Sequence, residues 1–341
     1  MAALTATVDP DGGGDYTSLF DCEATEQQDL TDNGGDTWTC TCEASSNSAD
    51  TTAGVRFVGW TTSADYDITI QAGSGEEAVK DAWKTDRYRL DGADDDILSL
   101  EEDYITLTGL QIGMSSTGDN SFYECIPVSG QTATNNKVVI EKCRISKNST
   151  GNTTRYVGIE FQDADTIADV FNNIVENFER RGLECSGYTT LKIYNNIVYG
   201  STTTDGIYIS GGSAGGATVK NNAVFNTNDD IDNRDSATVD YNATDDGDGN
   251  NPISPSGGSW TNEFTAPSTG NWTLVASGNC DDGGVGPSTD STVPTTDMEG
   301  DTRSGTTCDV GVDENAAAAP SGQPTFKRFA GTPHTTTYRR W

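Results

Sequence analysis

Three aspartates stand where stacked carboxylates would do chemistry. Asp205 lies in Thr204-Asp205-Gly206-Ile207, and Asn228-Asp229-Asp230 follows about one repeat later. Acids gathered on one surface raise one another's pKa, so one can hold a proton while its neighbour stays ionised. Such a pair is what cleavage of a glycosidic bond requires. A second acidic run, Asp246, Asp248 and Asn250, matches the first three ligand positions of a calcium loop. That loop then fails, with Asn251 where glycine is needed and Gly257 where a closing glutamate belongs. A polar turn is therefore expected there, and no cofactor. The single histidine is His334, and Cys22, Cys40, Cys42, Cys125, Cys143, Cys185, Cys280 and Cys308 include no CxxC pair. Neither set has zinc-ligand spacing.

The elements that must position these acids are short, repeated and strand-like. Gly158-Ile159-Glu160-Phe161, Gly182-Leu183-Glu184-Cys185, Gly206-Ile207-Tyr208-Ile209 and Asp230-Ile231-Asp232-Asn233 recur with second positions 24 residues apart. A second series interleaves with them: Val170-Phe171-Asn172-Asn173, Ile193-Tyr194-Asn195-Asn196, Val219-Lys220-Asn221-Asn222 and Val239-Asp240-Tyr241-Asn242. Two interleaved strand series with one recurring bend are the mark of a solenoid. Stacked parallel strands joined by right-handed crossings predict an all-β fold, a right-handed single-stranded parallel β-helix. Ile159, Leu183, Ile207 and Ile231 are expected inside, and Glu160, Glu184, Tyr208 and Asp232 outside. In this frame Asp205 and Asp229 share a column with Val157 and Arg181, which makes them occupants of a recurring bend.

The second series ends in a column of Leu110, Cys143, Asn173, Asn196, Asn222 and Asn242, three positions after the aliphatics Leu107, Ile140, Val170, Ile193, Val219 and Val239. Asparagine tolerates a left-handed bend, and its amide can bond to the same side chain one coil away. Asn173, Asn196, Asn222 and Asn242 are thus predicted to form a structural ladder. Cys185 falls where Phe161 and Ile209 stand in adjacent repeats and reads as a small core residue.

Composition bounds what such a body can do. Hydrophobic residues make up 33% of the 341 residues, and the formal net charge is −33. A strongly acidic surface repels nucleic acid. No apolar run approaches the ~18 residues that span a membrane, and no signal peptide is expected near Met1. The pattern divides the chain into an N-terminal strand and helix cap over 1–49, the helical body over 50–245, a C-terminal β cap over 246–314 and a tail over 315–341. In the N-terminal cap, a helix starting near Thr17 or Ser18 would turn Leu19, Cys22 and Ala24 toward the first coil. The tail carries Phe326, Lys327, Arg328, Phe329, Tyr338, Arg339, Arg340 and Trp341, with four basic residues and no acid. Basic charge with aromatic anchors on an acidic protein suits a docking peptide.

The opening, Val8-Asp9-Pro10-Asp11-Gly12-Gly13-Gly14-Asp15-Tyr16-Thr17-Ser18-Leu19, resembles the start of pectin-lyase-like β-helix proteins of tailed phages and marine bacteria. The far end is similar as well, in Tyr241-Asn242-Ala243-Thr244-Asp245-Asp246-Gly247-Asp248-Gly249-Asn250, in Asn271-Trp272-Thr273-Leu274, and in Asp297-Met298-Glu299-Gly300-Asp301-Thr302-Arg303 with Asp309-Val310-Gly311-Val312-Asp313-Glu314. The resemblance implies the fold, three-fold self-assembly and a place on a virus particle. It leaves chemistry open, because this fold carries lyases, hydrolases and non-catalytic parts alike. Asp205, Asp229 and Asp230 resemble part of the polygalacturonase pattern, but that family's Gly-His-Gly and Arg-Ile-Lys elements are missing. The expectation is a non-catalytic virion structural protein, held to another virion protein through the tail. The alternatives are a polysaccharide-degrading enzyme and an adhesin whose outward aromatics touch a host surface glycan.

Overall fold

The computed structural model describes residues 3–315 apart from 33–34, 94, 116–121, 134–135, 148–155, 201–204, 213–215 and 304. It forms an all-β parallel solenoid with three long sheets, whose strands recur in the order first, second, third along each coil. The first sheet has nine strands, from Ala3–Val8 to Thr238–Asp240. The second has seven, from Arg89–Ala93 to Ala243–Thr244, and the third has seven, from Val55–Phe57 to Asp229–Asn233. Register follows the columns read from the sequence. Ile159 pairs with Leu183, Leu183 with Ile207 and Ile207 with Ile231. In the first sheet Leu107, Ile140, Val170, Ile193, Val219 and Val239 follow one another. All of these side chains are buried in one continuous core, as is Cys185 between Phe161 and Ile209.

Parallel pairing already begins inside the stretch expected to be a cap. Strands Ala3–Val8 and Thr37–Cys42 belong to the first sheet, because Ala6, Cys40 and Ile70 alternate inward in register just as the later strands do. Between these two strands lies the helix Leu19–Glu26, where the Ser18 side chain accepts from the Asp21 N–H at 3.1 Å. Leu19 and Cys22 are buried under it, whereas Ala24 points to solvent.

The asparagine ladder is present and its left-handed bend lies one residue earlier. Asn173, Asn196, Asn222 and Asn242 are fully buried. Each amide nitrogen donates to the next Oδ1 at 3.0, 2.9 and 2.9 Å, and the same Oδ1 also accepts the backbone N–H one coil away. The positive φ angles instead fall on Gly109, Lys142, Asn172, Asn195, Asn221 and Tyr241. The ladder residues must keep a strand-like backbone to aim inward, so the preceding residue takes the turn.

Residues 246–314 run along the flank rather than only closing the end. The second sheet turns Ile174, Ile197, Ala223 and Phe225 outward. Phe264, Trp272, Leu274, Met298, Val310 and Val312 pack on that face as a second hydrophobic core. Outer asparagines fasten the returning chain. Asn172 Nδ2 donates to the Thr296 carbonyl, Asn195 to Asp309, and Asn221 to Val285. Farther up the body, Arg144 donates to Glu176 and to the carbonyls of Val79 and Gly270, while Lys80 pairs with Glu299 and Asp313. A second sheet that is apolar on both faces requires this cover.

Candidate functional site

The third sheet carries the acids. Successive coils place Arg181, Asp205 and Asp229 in one outward column, and Glu160, Glu184, Tyr208 and Asp232 in the next. At the last coil, carboxylate oxygens of Asp229, Asp246 and Asp248 all lie within 4.8 Å of one another. The turn after Ala243–Thr244 brings the last two there. Gly247 and Gly249 take φ of 83° and 81°, a left-handed path that glycine adopts without steric cost. The Asp248 carboxylate then accepts the Ile231 N–H at 2.8 Å.

Burial and a hydrogen bond shared with Asp246 push the Asp248 carboxyl up to about 7. Burial first, then Asp232, Asp246 and Asp205, also raises Asp229. Arg181 reaches Asp205 at 3.3 Å and lies 3.4 Å from the centre of the Tyr208 ring, and Arg234 bonds Asp232. Chemically, this arrangement gathers several carboxyls, two of them with raised pKa, on an open surface. The three acids Asp229, Asp246 and Asp248 could equally offer oxygen ligands to a hard divalent cation.

One sequence expectation is corrected here. Asp230 does not join Asp205 and Asp229. It occupies the column of Gly158, Gly182 and Gly206, where a Cβ at Gly206 would sit 2.4 Å from the Val224 side chain of the second sheet and 2.7 Å from the Asp230 carbonyl on the adjacent strand. Only at the last coil is there room for a side chain. There Asp230 is 1% exposed, with its oxygens held by the Thr227 hydroxyl and the Asp245 N–H, both at 2.5 Å. Burial lifts its carboxyl to about 7, but it faces the interior. Of the calcium candidates, Asp246 and Asp248 lie beside Asp229, while the Asn250 backbone bonds Val239 of the first sheet and Tyr241 just beyond it.

The sequence reading also missed how the outward glutamates are shielded. Glu160 and Glu184 are 8% and 4% exposed, and one oxygen of each has no hydrogen-bond partner among the described residues. Arg180 and Arg181 both reach Glu184. Glu124, one coil earlier, is pushed up to about 9 by burial and by hydrogen bonds to Glu160 and Asp96. The 24-residue spacing of Glu160 and Glu184 was visible in the sequence; the arginines that reach Glu184 were not assigned. The eight cysteines are all buried and unpaired. The docking residues Phe326, Lys327, Arg328, Phe329, Tyr338, Arg339, Arg340 and Trp341 lie outside the described residues. Among the described residues, no helix is long and apolar enough to cross a membrane.

Comparison with family models, with curated proteins and with solved structures finds no match for this chain.

Proposed function

We propose that this chain is a right-handed single-stranded β-helix serving as a non-catalytic structural protein of a tailed-phage particle, displayed on its surface and anchored by the C-terminal tail. Right-handed crossing is the near-universal choice for parallel strands. The observation that carries the reading is the path of residues 246–314. They return along the flank, and Asn315 bonds Asp309 and Asp281 beside the coil of Asn195. A basic tail leaving from there would hold the rigid acidic body side-on. The inward position of Asp230 supports a scaffold too, because it removes one of the three acids that resemble a catalytic set.

Three-fold self-assembly belongs to the same proposal. The large hydrophobics exposed among the described residues are Phe20, Val58 and Phe122, so polar contacts or the tail would carry the subunit interface. A host glycan would sit where Phe171 and Tyr194, register partners in adjacent coils, line a cleft of about 420 Å³ with Asp169, Lys192 and Thr292. In infected cells, a chain ending at Asn315 should stay soluble and folded yet be missing from purified particles. Particles that still contain the shortened chain would defeat the proposal.

A second reading, polysaccharide cleavage, is favoured by the raised carboxyl of Asp248 beside Asp229. It requires release of reducing ends or unsaturated sugars from a polysaccharide panel, and loss of that release in both Asp248→Asn and Asp229→Asn. An inactive wild-type chain on that panel would sink it.

A further inference from the structure

The left-handed corner between the first and second sheets is occupied by Gly109, Lys142, Asn172, Asn195, Asn221 and Tyr241. Glycine and asparagine adopt this conformation readily, whereas a long side chain costs about 1 kcal/mol. The three asparagines hold the returning C-terminal segment, and Tyr241 packs against its Val285, Val293 and Cys308 cluster. Lys142, at φ 56°, has no such partner among the described residues. A residue kept in a costly conformation without a side-chain contact to hold it invites a functional explanation.

Charge pairing points to the same residue. Every described lysine and arginine except Arg87, Arg89 and Lys142 has a carboxylate within ion-pair distance. Two of these three, Arg87 and Lys142, line one cavity of about 550 Å³, which opens where the returning chain leaves the corner at Met298 and Glu299. Val79 and Met298 give it apolar wall, while Gln71 and Thr108 give it polar atoms. Two carboxylates also line it, and both are engaged: Glu299 pairs with Lys80, and Glu77 accepts the Gly75 N–H at 2.8 Å. The Arg87 guanidinium bonds the Glu77 carbonyl, which aims it without neutralising it.

We propose that this cavity binds a small hydroxylated carboxylic acid, with Arg87 and Lys142 taking the carboxylate and Gln71 and Thr108 taking hydroxyl groups. Its volume suits a ligand of one or two small rings. The site is separate from the third-sheet acids and does not depend on a virion role. Titration calorimetry of the full chain with L-malate and with N-acetylneuraminate should detect one of them, with glucose and inorganic phosphate at least about tenfold weaker. Lys142→Asn, which installs the residue preferred at this corner, should weaken binding by about tenfold or more while keeping or raising the melting temperature. Arg87→Gln should weaken it similarly in a chain whose circular dichroism is unchanged. The proposal is overturned by no binding of either acid at about 10 mM, by equal binding of glucose or phosphate, or by undiminished affinity in both variants.

Discussion

Replacing Asn196 by alanine tests whether the buried ladder holds the coils together. The Asn196 Oδ1 accepts the Asn173 backbone N–H at 2.9 Å and the Asn173 amide at 3.0 Å. Its own amide donates to the carbonyls of Val170 and Tyr194 and to Asn222 Oδ1, at 2.9, 3.1 and 2.9 Å. Alanine strips the Asn173 N–H of its acceptor in a site with no access to water, and leaves two carbonyls short of a donor. A stranded buried donor costs about 1–3 kcal/mol and each lost bond about 1 kcal/mol, so Asn196→Ala should cost about 3–5 kcal/mol. Asn196→Asp should be worse at neutral pH. Its carboxylate still accepts from Asn173, but faces two carbonyls and the Asn222 oxygen with no proton to give. Acidification should narrow the gap between the two variants by protonating that carboxyl. Asn177→Ala is the control. It loses a left-handed asparagine on the surface and one 3.3 Å bond to Ser146, worth about 1 kcal/mol. Urea unfolding followed by circular dichroism reads all three. An Asn196→Ala chain within about 1 kcal/mol of wild type would refute the ladder's role, and so would an aspartate variant that is more stable than the alanine one at neutral pH.

Three further outcomes are expected. Arg144 is 1% exposed, so Arg144→Ala should cost about 3–5 kcal/mol by leaving Glu176 buried with only the Trp272 indole N–H. It should also free the flank segment, seen as faster proteolysis around Gly270, and resistance equal to wild type would contradict the clasp. Gly206→Ala should cost about 1–3 kcal/mol, because the added methyl would clash with Val224 and the Asp230 carbonyl. Gly247→Ala meets no atom within 4 Å and should cost only about 1 kcal/mol through its positive φ; equal effects at the two sites would refute the close approach. Finally, Glu124, Asp230 and Asp248 hold protons in the folded chain up to about 9, 7 and 7, above ordinary carboxyl values. From about pH 4 upward the unfolded chain binds fewer protons than the folded one, so stability falls as pH rises through these values. The melting temperature should drop between pH 5 and 8, less steeply in Glu124→Gln, and a rise over that interval would contradict these assignments.

The sequence was most informative wherever one coil repeats the next. The columns of Ile159 and Val170 could be read because a strand alternates with period two and each coil must present the same face to its neighbour. The ladder was legible for the same reason, although the left-handed turn was assigned to Asn173 rather than Asn172. Column reasoning also put Asp205 and Asp229 in one column, which their register bears out, although both open a strand rather than fill a bend. It also put Asp230 in the column of Gly158, Gly182 and Gly206, but could not tell that this column is buried, since that depends on side chains such as Val224 reaching across from another sheet.

What the amino-acid order determined alone was therefore the coil: its strands, its inward columns and its buried asparagines, all set by contacts between a residue and its equivalent one turn away. Only the tertiary structure decided where residues 246–314 go. Their partners lie far back along the chain, as Lys80 does for Glu299 and Asp313, and nothing periodic marks such pairs. The same holds for the acids of the last coil. Asp229 meets Asp246 and Asp248 because a glycine turn folds back beneath Ile231, a path chosen by packing against the end of the stack. Repetition makes a contact visible in sequence; a contact made once, between unlike segments, becomes visible only when the chain is folded.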